Sequence, residues 1–166
     1  MNSRAKAKHE LDEFEEDLGF QRLFWTVERA AWIAFALLIA AALAGLTGAG
    51  GPLAHAKAET PYGSIEYPRV SRWQTADDMV IQLRPAAGSL VEIEIDRRFV
   101  EAFEIVSIQP EPQSAAATPN GMRYTFDVES GGAVVFQLRA MQPAFIPDGS
   151  IRIGDAKAPV RSLILP

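Results

Sequence analysis

The chain contains no cysteine. Disulfides, thiolate metal sites and a cysteine nucleophile are therefore excluded. Histidine is scarce: His9 and His55 are the only two, one on each side of an apolar segment. The residues from 63 onward, where a folded domain is expected, have none, so no histidine-based triad is expected within that domain. The methionines at 1, 79, 122 and 141 are scattered and offer no thioether cluster. Lys and Arg number 16 against 21 Asp and Glu, a net charge of −5, and the arginines are dispersed. Phosphate-backbone contacts need clustered cations, so nucleic acid is not an expected partner. The sequence also lacks G-x-S-x-G, a glycine-rich phosphate loop and a dinucleotide fingerprint. These absences together predict a protein that is not an enzyme, with no cofactor and no bound metal.

What the sequence does have is one long uncharged run. "RAAWIAFALLIAAALAGLTGAGGPLAHAKAE" carries no Asp, Glu, Lys or Arg between Arg29 and His55. The ~20 residues from Ala30 to Ala49 would make a helix of ~30 Å, the thickness of a bilayer core. Gly50-Gly51-Pro52 is a helix stop, so a transmembrane helix is expected over 30–50. Phe20, Phe24, Trp25, Arg29 and Trp32 lie near its start, where side chains anchor at the membrane interface. Two rows of small residues run along it, Ala36, Ala40, Ala44 and Gly48, and Ala41, Gly45 and Ala49. Such rows let transmembrane helices approach closely, which points to a membrane-protein partner or a homo-oligomer.

Arg22 and Arg29 flank the run closely on one side, against Lys57 on the other. That bias predicts a cytoplasmic N-terminus and a C-terminal domain outside the membrane, in the periplasm. Ala54-His55-Ala56 also matches a signal-peptidase site, so secretion after cleavage at Ala56 is the alternative. The long, acidic preceding segment and the long apolar core favour an uncleaved signal-anchor.

Residues 1–29 read as a cytoplasmic amphipathic and acidic segment, helical over 5–28, with Leu11, Phe14, Leu18 and Trp25 near one face and Glu10, Glu13, Glu16 and Asp17 largely opposite. Gly19 is a candidate bend. An acidic face suits another protein's basic surface better than anionic lipid.

Residues 51–62 are expected to be a linker. From 63 to 166 the pattern changes to period two. "SLVEIEID" sets Val91, Ile93 and Ile95 against Glu92, Glu94 and Asp96. "MRYTFDV" and "AVVFQLR" alternate in the same way. Such alternation marks half-buried antiparallel strands, and turn signals at 85–88, Asn120-Gly121, Gly131-Gly132, Pro147-Asp148-Gly149 and Gly154-Asp155 separate them. The expected fold is mainly β: an antiparallel, immunoglobulin-like sandwich of about 7–8 strands. Trp73 reads as a core tryptophan, and "PEPQSAAATPNG" as one long exposed loop.

The carboxylates Glu92, Glu94 and Asp96 are the most suggestive oxygen-ligand set. Calcium loops bring ligands round a turn, whereas these lie along a strand. A solvent face balanced by Arg84, Arg97 or Arg98 is expected instead.

Phe20-Gln21-Arg22, Phe24-Trp25 and Glu28-Arg29 lead into the run, and Gly51-Pro52-Leu53 follows it. This layout resembles uncharacterised bacterial single-pass inner-membrane proteins with a short cytoplasmic helix and an extracytoplasmic β-sandwich. The resemblance implies an envelope location and supplies no activity. The plan also looks like the membrane-anchored copper chaperones of cytochrome oxidase assembly. Those carry a copper-binding cysteine pair that this chain lacks, which removes the copper-delivery reading.

The expected function is that of a membrane-anchored accessory protein whose periplasmic domain binds or stabilises an integral membrane protein. The alternative is a ligand-sensing or solute-binding module that signals through the single span.

Overall fold

A computed structural model describes residues 3–47, 50–84, 90–127 and 132–166; of residues 3–19 it describes the backbone. The chain divides into two compact units, Met1–Ala41 and Ala42–Pro166.

The helix α1 runs over Ser3–Leu43. The expected acidic segment and the apolar segment are thus one helix, and Gly19 does not interrupt it. The acidic face expected of residues 1–18 lies outside the described side chains. The stretch Phe20–Leu43, 24 residues, is long and apolar enough to cross a membrane, and none of it is buried.

The helix ends at Leu43, earlier than the expected stop at residues 50–52. Gly45 is the cause. It adopts φ +90°, a left-handed conformation, and its N–H donates to the Ala42 carbonyl at 3.0 Å. This is the glycine cap that commonly closes helices. The uncharged run and the helix therefore part company: residues after Leu43 belong to the β unit.

That unit holds eleven strands and one short helix among the described residues. In chain order the strands are β1 (His55–Thr60), β2 (Gly63–Pro68), β3 (Val70–Arg72), β4 (Ala76–Leu83) and β5 (Leu90–Asp96). Helix α2 (Arg97–Ala102) follows, then β6 (Phe103–Gln109), β7 (Ser114–Thr118) and β8 (Gly121–Asp127). The last three are β9 (Gly132–Ala140), β10 (Ala144–Ile153) and β11 (Ala156–Leu165). One sheet has the order β1-β2-β4-β9-β6; the other has β3-β11-β10-β5-β8-β7. All pairings are antiparallel except β3 with β11. One hydrophobic core draws on both sheets, including Ile65, Met79, Ile81 and Phe136 from the first and Ile93, Ile95, Phe126 and Ile151 from the second. The alternation read from the sequence is the reason: each strand turns one apolar row inward.

Three strands exceed the expected seven or eight. β1 lies in the expected linker, where Ala56 and Ala58 pack against the core and the strand pairs along its whole length with β2. β7 lies in the expected long loop and pairs with β8, from Ser114 against Thr125 to Thr118 against Gly121. Its side chains are mostly exposed, so it has no apolar alternation to betray it. β3 is a separate short strand, divided from β2 at Arg69.

Pro147-Asp148-Gly149, expected as a turn, is instead a register shift inside β10. Proline and glycine are tolerated within a strand at such irregularities. The turn expected at Gly154-Asp155 does join β10 to β11, with Gly154 at φ +59°. Trp73 is not a core residue: it is 47% exposed, and its Nε1 donates to the Met141 carbonyl at 3.0 Å. The turn signals at 85–88 and Gly131 lie outside the described residues.

Candidate functional site

The outer face of the six-stranded sheet carries the principal polar cluster. Glu94 sits on β5, between β8 and β10, and pairs in register with Arg123 on one side and Arg152 on the other. Its Oε2 lies 3.3 Å from Nη2 of Arg123 and 3.3 Å from Nη1 of Arg152. The Thr118 hydroxyl, from β7, donates to Oε1 at 3.1 Å. Glu94 is 7% exposed despite facing outward, because these three neighbours close over it. Burial by itself would raise its pKa; the Thr118 hydrogen bond and the two guanidinium groups outweigh burial and hold the carboxyl below its ordinary value.

Beside it, Asp96 accepts from the Arg98 backbone N–H at 2.9 Å and caps α2. Arg97 donates to the Pro119 carbonyl at 2.9 Å. Together with Arg98, Arg152, Lys157 and Asn120, these groups line a cleft of about 340 Å³. Both carboxylates of the cleft are engaged by protein donors. Arg97, Arg98 and Lys157 form no ion pair among the described residues. The cleft is therefore cationic in a chain of net negative charge.

The row Glu92, Glu94 and Asp96 does lie along one strand, but its balancing cations differ from those expected. Arg123 and Arg152 do the pairing, Arg84 pairs instead with Glu59 at 3.2 Å, and Glu92 lies 3.7 Å from Arg123. The alternation of "MRYTFDV" puts Arg123 on the polar row; only strand order brings it and Arg152 to Glu94. Among the described residues, no group of three or more His, Asp or Glu side chains is placed to hold a metal ion.

His55 was expected to lie outside the β domain. It stands instead on β1, with Nε2 3.9 Å from Oδ1 of Asp77 on β4. Ser71 on β3 donates to the other carboxylate oxygen of Asp77. The order is serine, aspartate, histidine, with the carboxylate in the middle. An activated serine requires the imidazole in that place, so this arrangement does not prepare a nucleophile.

A second, apolar surface lies in the same unit. Leu46, Leu53, Val70, Phe145 and Leu163 line a groove of about 350 Å³, with Arg69 and Arg161 at its rim. Leu46 is 50% exposed, Leu53 44% and Phe145 69%. Phe145 and Leu163 are register partners on β10 and β11. The loop after α1 is stitched into place by Leu53 N–H to Ala44 O at 3.0 Å and by Arg69 and Val70 N–H to Ala54 O at 2.7 and 3.0 Å. Ala54 is buried there. Phe145 carries no signal in the sequence, because it lies two residues before Pro147, where a turn is expected.

The residues expected to pack a transmembrane helix divide into three groups. Ala36, Ala40 and Ala41 are on α1. Ala44 and Gly45 lie beyond its end, and Gly48 and Ala49 lie outside the described residues. The expected interface anchors Phe20, Phe24, Trp25, Arg29 and Trp32 are all on α1 and exposed. The rings of Phe20 and Phe24 stack at 6.4 Å, and the Arg29 guanidinium lies 4.2 Å from the Trp25 ring centroid.

Comparison with protein-family models, curated proteins and solved structures finds no match to this chain.

Proposed function

We propose that this is a single-pass membrane protein, with a cytoplasmic N-terminus and a periplasmic β unit. In this reading it is a non-enzymatic accessory protein, and its β unit binds or stabilises an integral membrane protein. The observation that carries the reading is Phe20–Leu43, a 24-residue, predominantly apolar helical stretch with none of its residues buried. An exposed, predominantly apolar helical surface of that length is costly in water and stable in lipid. Two sheets around one core support a β-sandwich, immunoglobulin-like in class. Ala36 and Ala40, one helical turn apart on α1, offer a close-packing site for a second helix. The exposed strand β7, at the edge of its sheet, offers a place for strand addition. Tethering would raise the effective concentration of either contact.

Purification of the full chain in mild detergent tests this reading. A membrane protein should co-purify reproducibly and be lost from the Ala36→Leu, Ala40→Leu double variant. Recovery of the chain alone, from membranes that retain it, would leave the accessory role without support.

A second reading has its own observation, the cationic cleft beside Glu94. In that reading the β unit binds a small anionic solute and signals through the span. Titration of the full chain with inorganic phosphate or citrate tests it, and Arg98→Ala with Lys157→Ala should abolish any saturable response.

A further inference from the structure

We infer that the face formed by Leu46, Leu53, Phe145 and Leu163 rests in the headgroup region of the bilayer, with Arg69 and Arg161 on lipid phosphates. The inference rests on the proposed role of α1 as the membrane anchor.

It starts from the early end of the helix. The uncharged helical residues, Ala30 to Leu43, number about 14 and reach ~21 Å, short of a ~30 Å hydrocarbon core. A crossing must therefore draw in the aromatic part of α1 that begins at Phe20, with Arg22, Glu28 and Arg29 reaching toward the interface. The described remainder of the uncharged run, residues 44–47 and 50–54, belongs to the β unit. Its two leucines remain exposed there and meet Phe145 and Leu163 in one groove.

Chain connectivity ties this groove to the point where the polypeptide leaves the helix. Leu46 follows Leu43 by three residues, at most ~11 Å of extended chain. Leu53 is held to Ala44 by the backbone hydrogen bond of 3.0 Å. If α1 is in the membrane, the groove has a bilayer surface within reach whether or not a partner protein is present.

The chemistry of the surface fits lipid. On β10 and β11, Ile146 and Ile164 are buried while Phe145 and Leu163 point outward, so the apolar pair is additional to the core. The rim charges are two arginines, neither in an ion pair among the described residues, and no carboxylate lines the groove. Apolar side chains ringed by cations are what binds the interface of a membrane containing anionic lipid. An acidic rim would have argued against it.

The absence of cysteine makes a clean test possible. Phe145→Cys, Leu53→Cys and, as a control, Val106→Cys are spin-labelled in the full chain. Val106 is exposed on β6, an edge strand of the other sheet. Each is placed in nanodiscs of mixed phosphatidylcholine and phosphatidylglycerol, and collision with oxygen is compared with collision with a water-soluble nickel chelate. Labels at 145 and 53 should show an oxygen-to-nickel ratio several-fold above that at 106. Arg69→Glu with Arg161→Glu should lower the ratio at 145. Equal ratios at 145 and 106 would overturn the inference while leaving the anchor intact. Shielding of 145 from both reagents would also overturn it, in favour of a second copy of the chain. Failure of the chain to stay in the nanodisc would remove the anchor reading and this inference together.

Discussion

Glu94 and Arg152 face each other across neighbouring strands, register partners on β5 and β10, with Oε2 and Nη1 3.3 Å apart. Arg123 completes the row from the other side. Three strands are thus tied through one carboxylate. Glu94→Gln leaves Arg152 without its anion and leaves Arg123 with Glu92 alone, at 3.7 Å. The arginines are partly exposed, at 40% and 41%, so solvent softens the loss. A destabilisation of ~1–2 kcal/mol is expected in urea denaturation at pH 7.

The pH dependence of that loss has a definite sign. The Glu94 carboxyl titrates below its ordinary value in the folded protein. Its contribution is therefore fully present above the unfolded carboxylate range and disappears as pH falls through the lowered folded value. Glu94→Gln should differ most from the parent at neutral pH and converge with it in strong acid. A gap that stays constant down to strong acid would mean that the ion pairs are not the source.

Asp77 runs the other way. Burial raises its carboxyl, with Ser71 and His55 opposing and Asp78 adding. A raised folded value means that the ionised form costs stability at neutral pH, and the cost is relieved as pH falls through that value. Asp77→Asn keeps an acceptor for Ser71 and should melt higher than the parent at pH 7. The difference should shrink on acidification. A lower melting point at pH 7 would show that the His55 contact outweighs desolvation.

Gly121 opens β8 where the chain passes close to β5. A Cβ there would lie 1.9 Å from the Ile95 carbonyl oxygen and 2.8 Å from the Arg97 nitrogen. Both are backbone atoms, so the strands must separate. Gly121→Ala should cost ~1–3 kcal/mol in a thermal melt, as overpacking does. Retention of the full melting temperature would mean that the hairpin bearing Thr118 is free to shift.

Phe136 lies at the centre of the core, fully buried, edge-on to Tyr124 at 5.5 Å and to Phe126 at 6.1 Å. These two rings come from the opposite sheet, so Phe136→Ala opens a cavity between the sheets. A loss of ~3–5 kcal/mol is expected from chemical denaturation.

The strands easiest to read were those with one apolar row and one polar row. β5, β8 and β9 follow the period-two pattern that marks them. β7 was hidden because "SAAAT" is nearly all exposed and has no second row to contrast. β1 was hidden because its inward residues are Ala56 and Ala58, which read as linker. The acidic row on β5 was visible, yet its partners were not. Arg123 and Arg152 lie 29 and 58 residues from Glu94, and only pairing order brings them together.

The sequence by itself determined that cysteine chemistry is absent, that one uncharged run exists, and that the C-terminal part is built of alternating strands. These follow from residue type and local periodicity, which need no tertiary partner. The tertiary structure decided where the helix stops, through the left-handed Gly45, and which arginines bury Glu94. It also decided that Leu46 and Leu53 leave the apolar run to join Phe145 and Leu163. The last two outcomes depend on hydrogen bonds and strand order between residues far apart in the chain, whereas the helix stop rests on the nearby bond from Gly45 N–H to the Ala42 carbonyl. No local pattern of hydrophobicity encodes them.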